Sequence, residues 1–167
     1  MQNTFTDKNP LNSLMDKVRL KDVMDKSFSS VYDDQDLSIA LGKFLNRPIS
    51  HLLVLDRFEK LSGILTPKYL YKTHSPQKII NDTIEISREV MIDGDTYFNK
   101  NSLNSYILRS IMKKDPLTLG PEDSLSAAIL SMKRNNLSCI PVVNNDLRVL
   151  GIVTNTEIVD FLSCLIK

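Results

Sequence analysis

Sliding the chain along itself by 88 positions lays residues 20–70 on 108–158 without a gap. Leu20 falls on Leu108, Met24 on Met112, Ala40 on Ala128, Val54 on Val142 and Gly63-Ile64 on Gly151-Ile152. At many of the other positions one apolar side chain replaces another, as in Val31/Leu119, Leu41/Ile129, Phe44/Met132 and Leu65/Val153. A fixed offset that keeps apolar positions in phase marks a duplicated supersecondary unit. A unit of ~50 residues cannot cover both faces of a small sheet by itself. Two copies are therefore expected to pack together about a pseudo-two-fold axis, with a groove between them that has two related edges.

Each copy follows the same course. A short helical turn carries the methionine (Lys21–Met24; Arg109–Met112), and an extended stretch follows (Ser29–Val31; Leu117–Leu119). A turn with helix-start acids comes next, at Asp33-Asp34 and at Pro121-Glu122-Asp123. Leu37, Ala40, Leu41 and Phe44 then fall at helical spacing, as do Leu125, Ala128, Ile129 and Met132. Asn46-Arg47-Pro48 and Asn135-Asn136 stop these helices. Two short strands follow in each copy, His51–Leu55 with Leu61–Leu65 and Cys139–Val143 with Val149–Val153. Thr66-Pro67 sets a hydroxyl cap before a proline at a helix start, and Thr154-Asn155-Thr156-Glu157 reads as a capping box. The predicted fold is α/β (α+β), with two β-α-β-β-α repeats. The organisation is a polar arm and amphipathic lead-in over 1–17, repeats over 18–73 and 106–167, and a linker or arm over 74–105. Residues 1–12 read as loose. In the linker, Ile79, Ile80, Ile84 and Ile86 suggest a helix or an extended docking segment, and Val90–Ile92 and Thr96–Phe98 flank an Asp-Gly-Asp turn as in a hairpin. This arm serves either packing and dimer contact or as a lid or docking element.

Bulk properties narrow the function. The 167 residues carry a formal net charge of +1, so no global field draws in nucleic acid or an anionic membrane. There is no basic stripe with interleaved aromatics, and no nucleic-acid partner is expected. No apolar run approaches the ~20 residues that span a bilayer, and the polar N-terminus does not read as a secretory signal. Two cysteines make neither a disulfide framework nor a zinc pattern, which suits a reducing cytoplasm. No nucleophile–base pair, carboxylate dyad or glycine-rich phosphate loop stands out, so the chain is not read as an enzyme.

The methionine turn, the Asp-Leu-Ser or Ser-Leu-Ser start of an alanine-bearing helix, and Ser138-Cys139-Ile140-Pro141-Val142-Val143 leading to Gly151-Ile152-Val153-Thr154 together resemble the CBS domain, the module named after cystathionine β-synthase. Two copies resemble the tandem pair called a Bateman module. That resemblance implies a regulatory protein binding AMP, ADP, ATP, S-adenosylmethionine or a cyclic dinucleotide in the clefts between the copies, as a homodimer, with no required cofactor, signalling to an unidentified partner.

The resemblance also implies the site. The family's Gly-x-x-Thr/Ser-x-x-Asp stretch falls on Thr154, Thr156 and Glu157 in copy two and on Thr66, Lys68 and Tyr69 in copy one. Glu157 keeps a carboxylate for ribose; Tyr69 does not. The opposite edges are Ser30 with Ile49, Ser50 and His51, and Thr118 with Leu137, Ser138 and Cys139. The better cleft pairs Thr154, Thr156 and Glu157 with Ser30, Ile49, Ser50 and His51, an imidazole that titrates near neutral pH. The second pairs Thr66 and Lys68 with Thr118, Leu137, Ser138 and Cys139 and is expected to be weaker or empty. Each residue also has a purely structural reading: Thr154 and Glu157 as a cap, His51 as a strand residue bonded to backbone, Cys139 as a small core hydrophobe. A ligand-free dimerising scaffold is the alternative function.

Overall fold

The computed structural model describes residues 10–68, 77–78, 89–93, 96–99 and 106–166. In chain order the elements are α1 (Pro10–Lys17), α2 (Leu20–Val23), β1 (Ser30–Tyr32), α3 (Leu37–Asn46), β2 (Leu52–Leu55), β3 (Leu61–Leu65), β4 (Gln77–Lys78), β5 (Glu89–Asp93), β6 (Thr96–Asn99), α4 (Leu108–Ile111), β7 (Lys113–Lys114), α5 (Leu125–Asn135), β8 (Cys139–Val143), β9 (Val149–Thr154) and α6 (Asn155–Leu165). The expected mixed α/β fold with its repeated course is present. Pro10–Asn12 are helical rather than loose. Proline is preorganised for a first helical turn, Met15 is buried, and the Ser126 hydroxyl donates to the Asp16 carboxylate. The expected hairpin strands β5 and β6 pair antiparallel from Glu89↔Asn99 to Asp93↔Thr96, with a register shift between Met91 and Asp93 and with β4 on the other side of β6. Residues 1–9, Tyr69 and the Ile79–Ile86 segment lie outside the described residues.

The chain packs as two compact units that do not coincide with the sequence repeats. Residues up to Phe28 pack with those from Pro116 onward, and Ser29–Asp115 form the other unit. The lead-in of each repeat thus completes the sheet of the other. In the second unit the sheet order is β1-β2-β3-β7, with β1 parallel to β2. Its closing strand, Lys113-Lys114, belongs to the second repeat and pairs with Ile64 and Gly63. In the first unit Leu119 bridges Val142 in parallel, β8 pairs with β9, and Asp25 bridges Ile152. The backbone bonds follow the 88-residue offset across this exchange. Leu20 and Lys21 donate to Asp123 and Pro121, while Leu108 and Arg109 donate to Gln35 and Asp33.

Side chains explain why the exchange holds. Leu108 is fully buried among Leu37, Leu52 and Leu65, and Leu20 among Leu125, Ile140 and Val153. Each such burial contributes about 1.5–3 kcal/mol. Each methionine lies against the other repeat's glycine. A Cβ on Gly63 would stand 2.6 Å from Met112 Sδ and 2.8 Å from the Lys113 carbonyl; on Gly151 it would stand 2.7 Å from Met24 Sδ and 2.8 Å from the Asp25 carbonyl. Only glycine admits the closing strand so near. The strand turns also repeat: Asp56 Oδ1 accepts from Phe58 and Lys60 N–H, as Asn144 Oδ1 does from Asp146 and Arg148. Glu59 (φ 62°) and Leu147 (φ 63°) take the left-handed position of these turns.

The acids lie in the turns before the helices, as the sequence predicts. Asp36 and Ser124 occupy the caps, and Ser124 Oγ accepts from Ala127 N–H at 3.2 Å. Asp123 bends back so that its carboxylate accepts from Gly120 N–H at 2.7 Å.

Candidate functional site

Antiparallel pairing brings the start of one strand beside the end of the next. In the first unit Cys139 faces Thr154, and Asn155 N–H reaches the Ser138 carbonyl at 3.4 Å. Leu137, Ser138 and Cys139 therefore share one sheet end with the start of α6. Thr118 precedes the Leu119 bridge in the neighbouring strand position. Leu137 packs on the core and Cys139 is buried, as a small hydrophobe would be. Asn136, at φ 50° and ψ 50°, turns the chain from α5 into this edge.

The start of α6 is closed by its own side chains. Thr156 N–H donates to Thr154 Oγ1 at 3.1 Å. One oxygen of Glu157 accepts both the Thr154 N–H, at 2.7 Å, and the Thr154 hydroxyl, at 2.6 Å. This is the predicted capping box. The carboxylate expected to meet ribose is already bonded to the helix start, and ribose would have to compete with both bonds.

The second unit assembles the same end from different residues. Ser30 pairs with Leu53, and Leu52 with Leu65. Ser30, the approach to β2 through Ile49, Ser50 and His51, and Thr66 thus lie at one end of the sheet. Ile49 packs against the core, Ser50 is exposed and His51 is half-buried. Pro67 and Lys68 are helical, as the sequence predicts, but Thr66 Oγ1 caps nothing: it is buried with no hydrogen-bond partner among the described residues. The position three residues on is Tyr69, which offers no carboxylate, where copy two has Glu157.

One residue at this end gave no signal in the sequence. Lys43, on α3, donates from Nζ to the Ser30 carbonyl at 2.6 Å. Its repeat partner is Ser131, so the duplication conceals it. The second unit therefore offers hydroxyls and the Lys43 ammonium at its sheet end, whereas the first offers hydroxyls and a carboxylate in use. The sequence grouped Thr154, Thr156 and Glu157 with Ser30, Ile49, Ser50 and His51. Within one unit, the fold gathers Thr118, Leu137, Ser138 and Cys139 with Thr154, Thr156 and Glu157. It likewise gathers Ser30, Ile49, Ser50 and His51 with Thr66 and Lys68. Among the described residues no three His, Cys, Asp or Glu side chains cluster as metal ligands, and no helix is long and apolar enough to cross a membrane.

Comparison with known proteins places these features in a family context. The CBS domain family model matches residues 20–73 and 108–164, about two thirds of the chain. An uncharacterized protein of Methanocaldococcus jannaschii is 28% identical over 166 residues, which span 92% of this chain and 96% of that protein. The chain also matches homoserine O-acetyltransferases, among them that of Methanococcus vannielii at 22% identity, but spans only 24% of that enzyme's length. Among solved structures, a CBS domain pair in complex with 5′-methylthioadenosine and S-adenosyl-L-methionine superposes with a TM-score of 0.65 at 21% identity, over 89% of this chain and 98% of that one. CBSX2 in complex with AMP gives 0.68 at 17% identity, over 90% and 99%.

Proposed function

This chain belongs to the CBS domain family, and from that premise we propose that it is a regulatory protein that binds an adenosyl ligand and signals occupancy to a partner protein. In this reading it carries out no reaction of its own, requires no cofactor, works in the cytoplasm and is a homodimer. The observation that carries the proposal is the buried Thr66 hydroxyl with no partner among the described residues. A buried hydroxyl left unpaired costs about 1–3 kcal/mol. A ligand oxygen at that position offsets the cost, and the ammonium of Lys43 on the Ser30 carbonyl adds charge suited to phosphate. The solved relatives with AMP or S-adenosyl-L-methionine bound support the ligand class. Ser30, Ile49, Ser50, His51 and Lys68 are the proposed neighbours of Thr66. Thr154, Thr156 and Glu157, with Thr118, Leu137, Ser138 and Cys139, are the proposed contacts at the other sheet end.

For occupancy to become a signal, the ligand must bind one conformational state better than another. The direct test is thermal melting with AMP, ADP, ATP, S-adenosylmethionine and a cyclic dinucleotide. A ligand that binds only the folded protein raises the midpoint, by an amount equivalent to about 2.7 kcal/mol at a concentration 100 times Kd. Thr66→Val is expected to abolish the shift. If no compound moves the midpoint, the ligand-binding reading fails and the ligand-free interaction scaffold takes its place. The engagement of Glu157 in its own capping box is the observation that favours that second reading.

A further inference from the structure

Charge is divided along the strands of the second unit. β1 lies parallel to β2, β2 antiparallel to β3 and β3 antiparallel to β7, so one end of the sheet holds the β2–β3 turn and the exits of β1 and β7. Over residues 29–68 and 106–115 the acids are Asp33, Asp34, Asp36, Asp56, Glu59 and Asp115, and all six belong to that end or to the turn leading into α3. The other end, where Ser30, Ile49–His51 and Thr66 lie, has none of them. α3 runs back toward it from its cap at Asp36 to Arg47, with Lys43 in its last turn, and Lys68 follows Thr66. Lys43 Nζ makes its bond to the Ser30 carbonyl, not to a carboxylate. An ammonium has three N–H donors, so two are left for a ligand. The first unit is unlike this: the Glu157 carboxylate stands at the start of α6, and Ser131 takes the position of Lys43.

We propose that this end of the second unit selects its ligand by charge: it takes a phosphate-bearing adenosyl ligand and turns away the cationic sulfonium of S-adenosylmethionine, and Lys43 is the residue that decides. This rests on the ligand-binding reading above and adds the charge of the ligand and the residue that reads it. An ammonium bonds an anionic oxygen more strongly than a neutral one, so a phosphate gains more from Lys43 than the Ser30 carbonyl does. A sulfonium held near the same ammonium is repelled, and none of the six acids stands at this end to offset it. The selection is confined to one unit, because the duplication gives Lys43 no counterpart in the other. Capping the Ser30 carbonyl on the edge strand β1 needs a donor but no charge, so a purely structural role for Lys43 separates from a selective one.

The test is isothermal titration of the full chain, as wild type, Lys43→Gln and Lys43→Arg, with ADP, adenosine and S-adenosylmethionine. Glutamine keeps a donor for the Ser30 carbonyl without the charge, and arginine keeps the charge. The wild type should bind ADP about tenfold or more tighter than adenosine, and S-adenosylmethionine should not displace the ADP. Lys43→Gln should weaken ADP by about tenfold and adenosine by less than about twofold, while Lys43→Arg should retain the preference. Lys43 is exposed, so circular dichroism should show both variants folded. Ser131→Ala, at the equivalent position of α5, should change nothing. If no adenosyl compound binds the wild type, the ligand-binding reading falls and takes this inference with it. If ADP binds no tighter than adenosine, if S-adenosylmethionine displaces it, or if Lys43→Gln weakens both nucleosides alike or neither, ligand binding stands and the charge selection is overturned.

Discussion

At the start of α6, Thr154 gives its hydroxyl to Glu157 and receives a bond from Thr156 N–H. At the equivalent place in the other unit, Thr66 follows the same Gly-Ile-apolar strand, yet its hydroxyl is buried without a described partner. Strand and glycine are alike on both sides; one residue a helical turn downstream differs, Tyr69 in place of Glu157. A carboxylate there closes the first helix start onto itself, and in the second the Thr66 hydroxyl has no partner among the described residues. Retaining an acid at the family's ribose position thus does not by itself make a helix start the better ligand site. The acid has to be released first, whereas Thr66 has no bond to give up among the described residues.

The comparison assumes that both units are closed in the same way, and the largest expected effect tests that assumption. Gly63→Val and Gly151→Val each drive a side chain into a methionine sulfur and into a backbone carbonyl 2.8 Å away that has little freedom to move. Each should cost about 2–3 kcal/mol in urea denaturation, and the two losses should agree within about 0.5 kcal/mol. A marked inequality would show that the exchanged lead-ins do not seal the two sheets equally. The helix starts could then no longer be compared on a common frame.

The helix starts themselves should respond with opposite signs. Thr154→Val removes a cap and strips the carboxylate of one of its two bonds, for a loss of about 1 kcal/mol. Thr66→Val keeps the branched shape, replaces an unpaired buried hydroxyl with a methyl group, and should stabilise the ligand-free protein by up to about 1 kcal/mol. Melting curves of the two variants, without nucleotide, decide the matter. Losses of similar size at both positions would mean that Thr66 has a partner after all, and the contrast would collapse.

The sequence made much of this legible, and its blind spots are physical. An offset of 88 residues is the same whether Leu20 packs beside Leu125 or beside Leu37, because exchanging equivalent lead-ins changes no residue and no spacing. Only the backbone pairings, Leu20 to Asp123 and Leu108 to Gln35, distinguish the two arrangements. The strands and the capping box were readable because their determinants are local: alternation and apolar runs for one, a threonine and a glutamate three residues apart for the other. Thr66-Pro67 carries the same local start signal without the same outcome, because a hydroxyl needs a geometric partner as well as a favourable position. Lys43 left no trace, since a lysine on an amphipathic helix reads as solvated surface until its ammonium is found on the Ser30 carbonyl.

The smallest expected effect concerns an electrostatic clamp on the exchanged lead-in of the first unit. Lys21 Nζ stands 2.8 Å from a Glu122 oxygen and 3.1 Å from the other, and Arg19 Nη1 donates to the Glu122 carbonyl. The second unit carries Arg109 and Asp34 at the matching positions. The hydrogen bond to Glu122, and secondarily its charge, hold the Lys21 ammonium above its ordinary pKa. A raised lysine pKa contributes stability that is complete below the unfolded-state value and fades as pH climbs through the folded one. The clamp should therefore contribute the same at any pH between about 6 and 9 and weaken only in strong alkali. Both side chains are largely in water, so screening leaves little to lose. Glu122→Gln should move the melting midpoint by less than about 1 °C at neutral pH. The lead-in is held instead by the buried Leu20 and by Met24 against Gly151. A shift of several degrees would mean that charge carries what the first prediction assigns to Gly151 and Met24, and the two glycine variants would then be expected to differ.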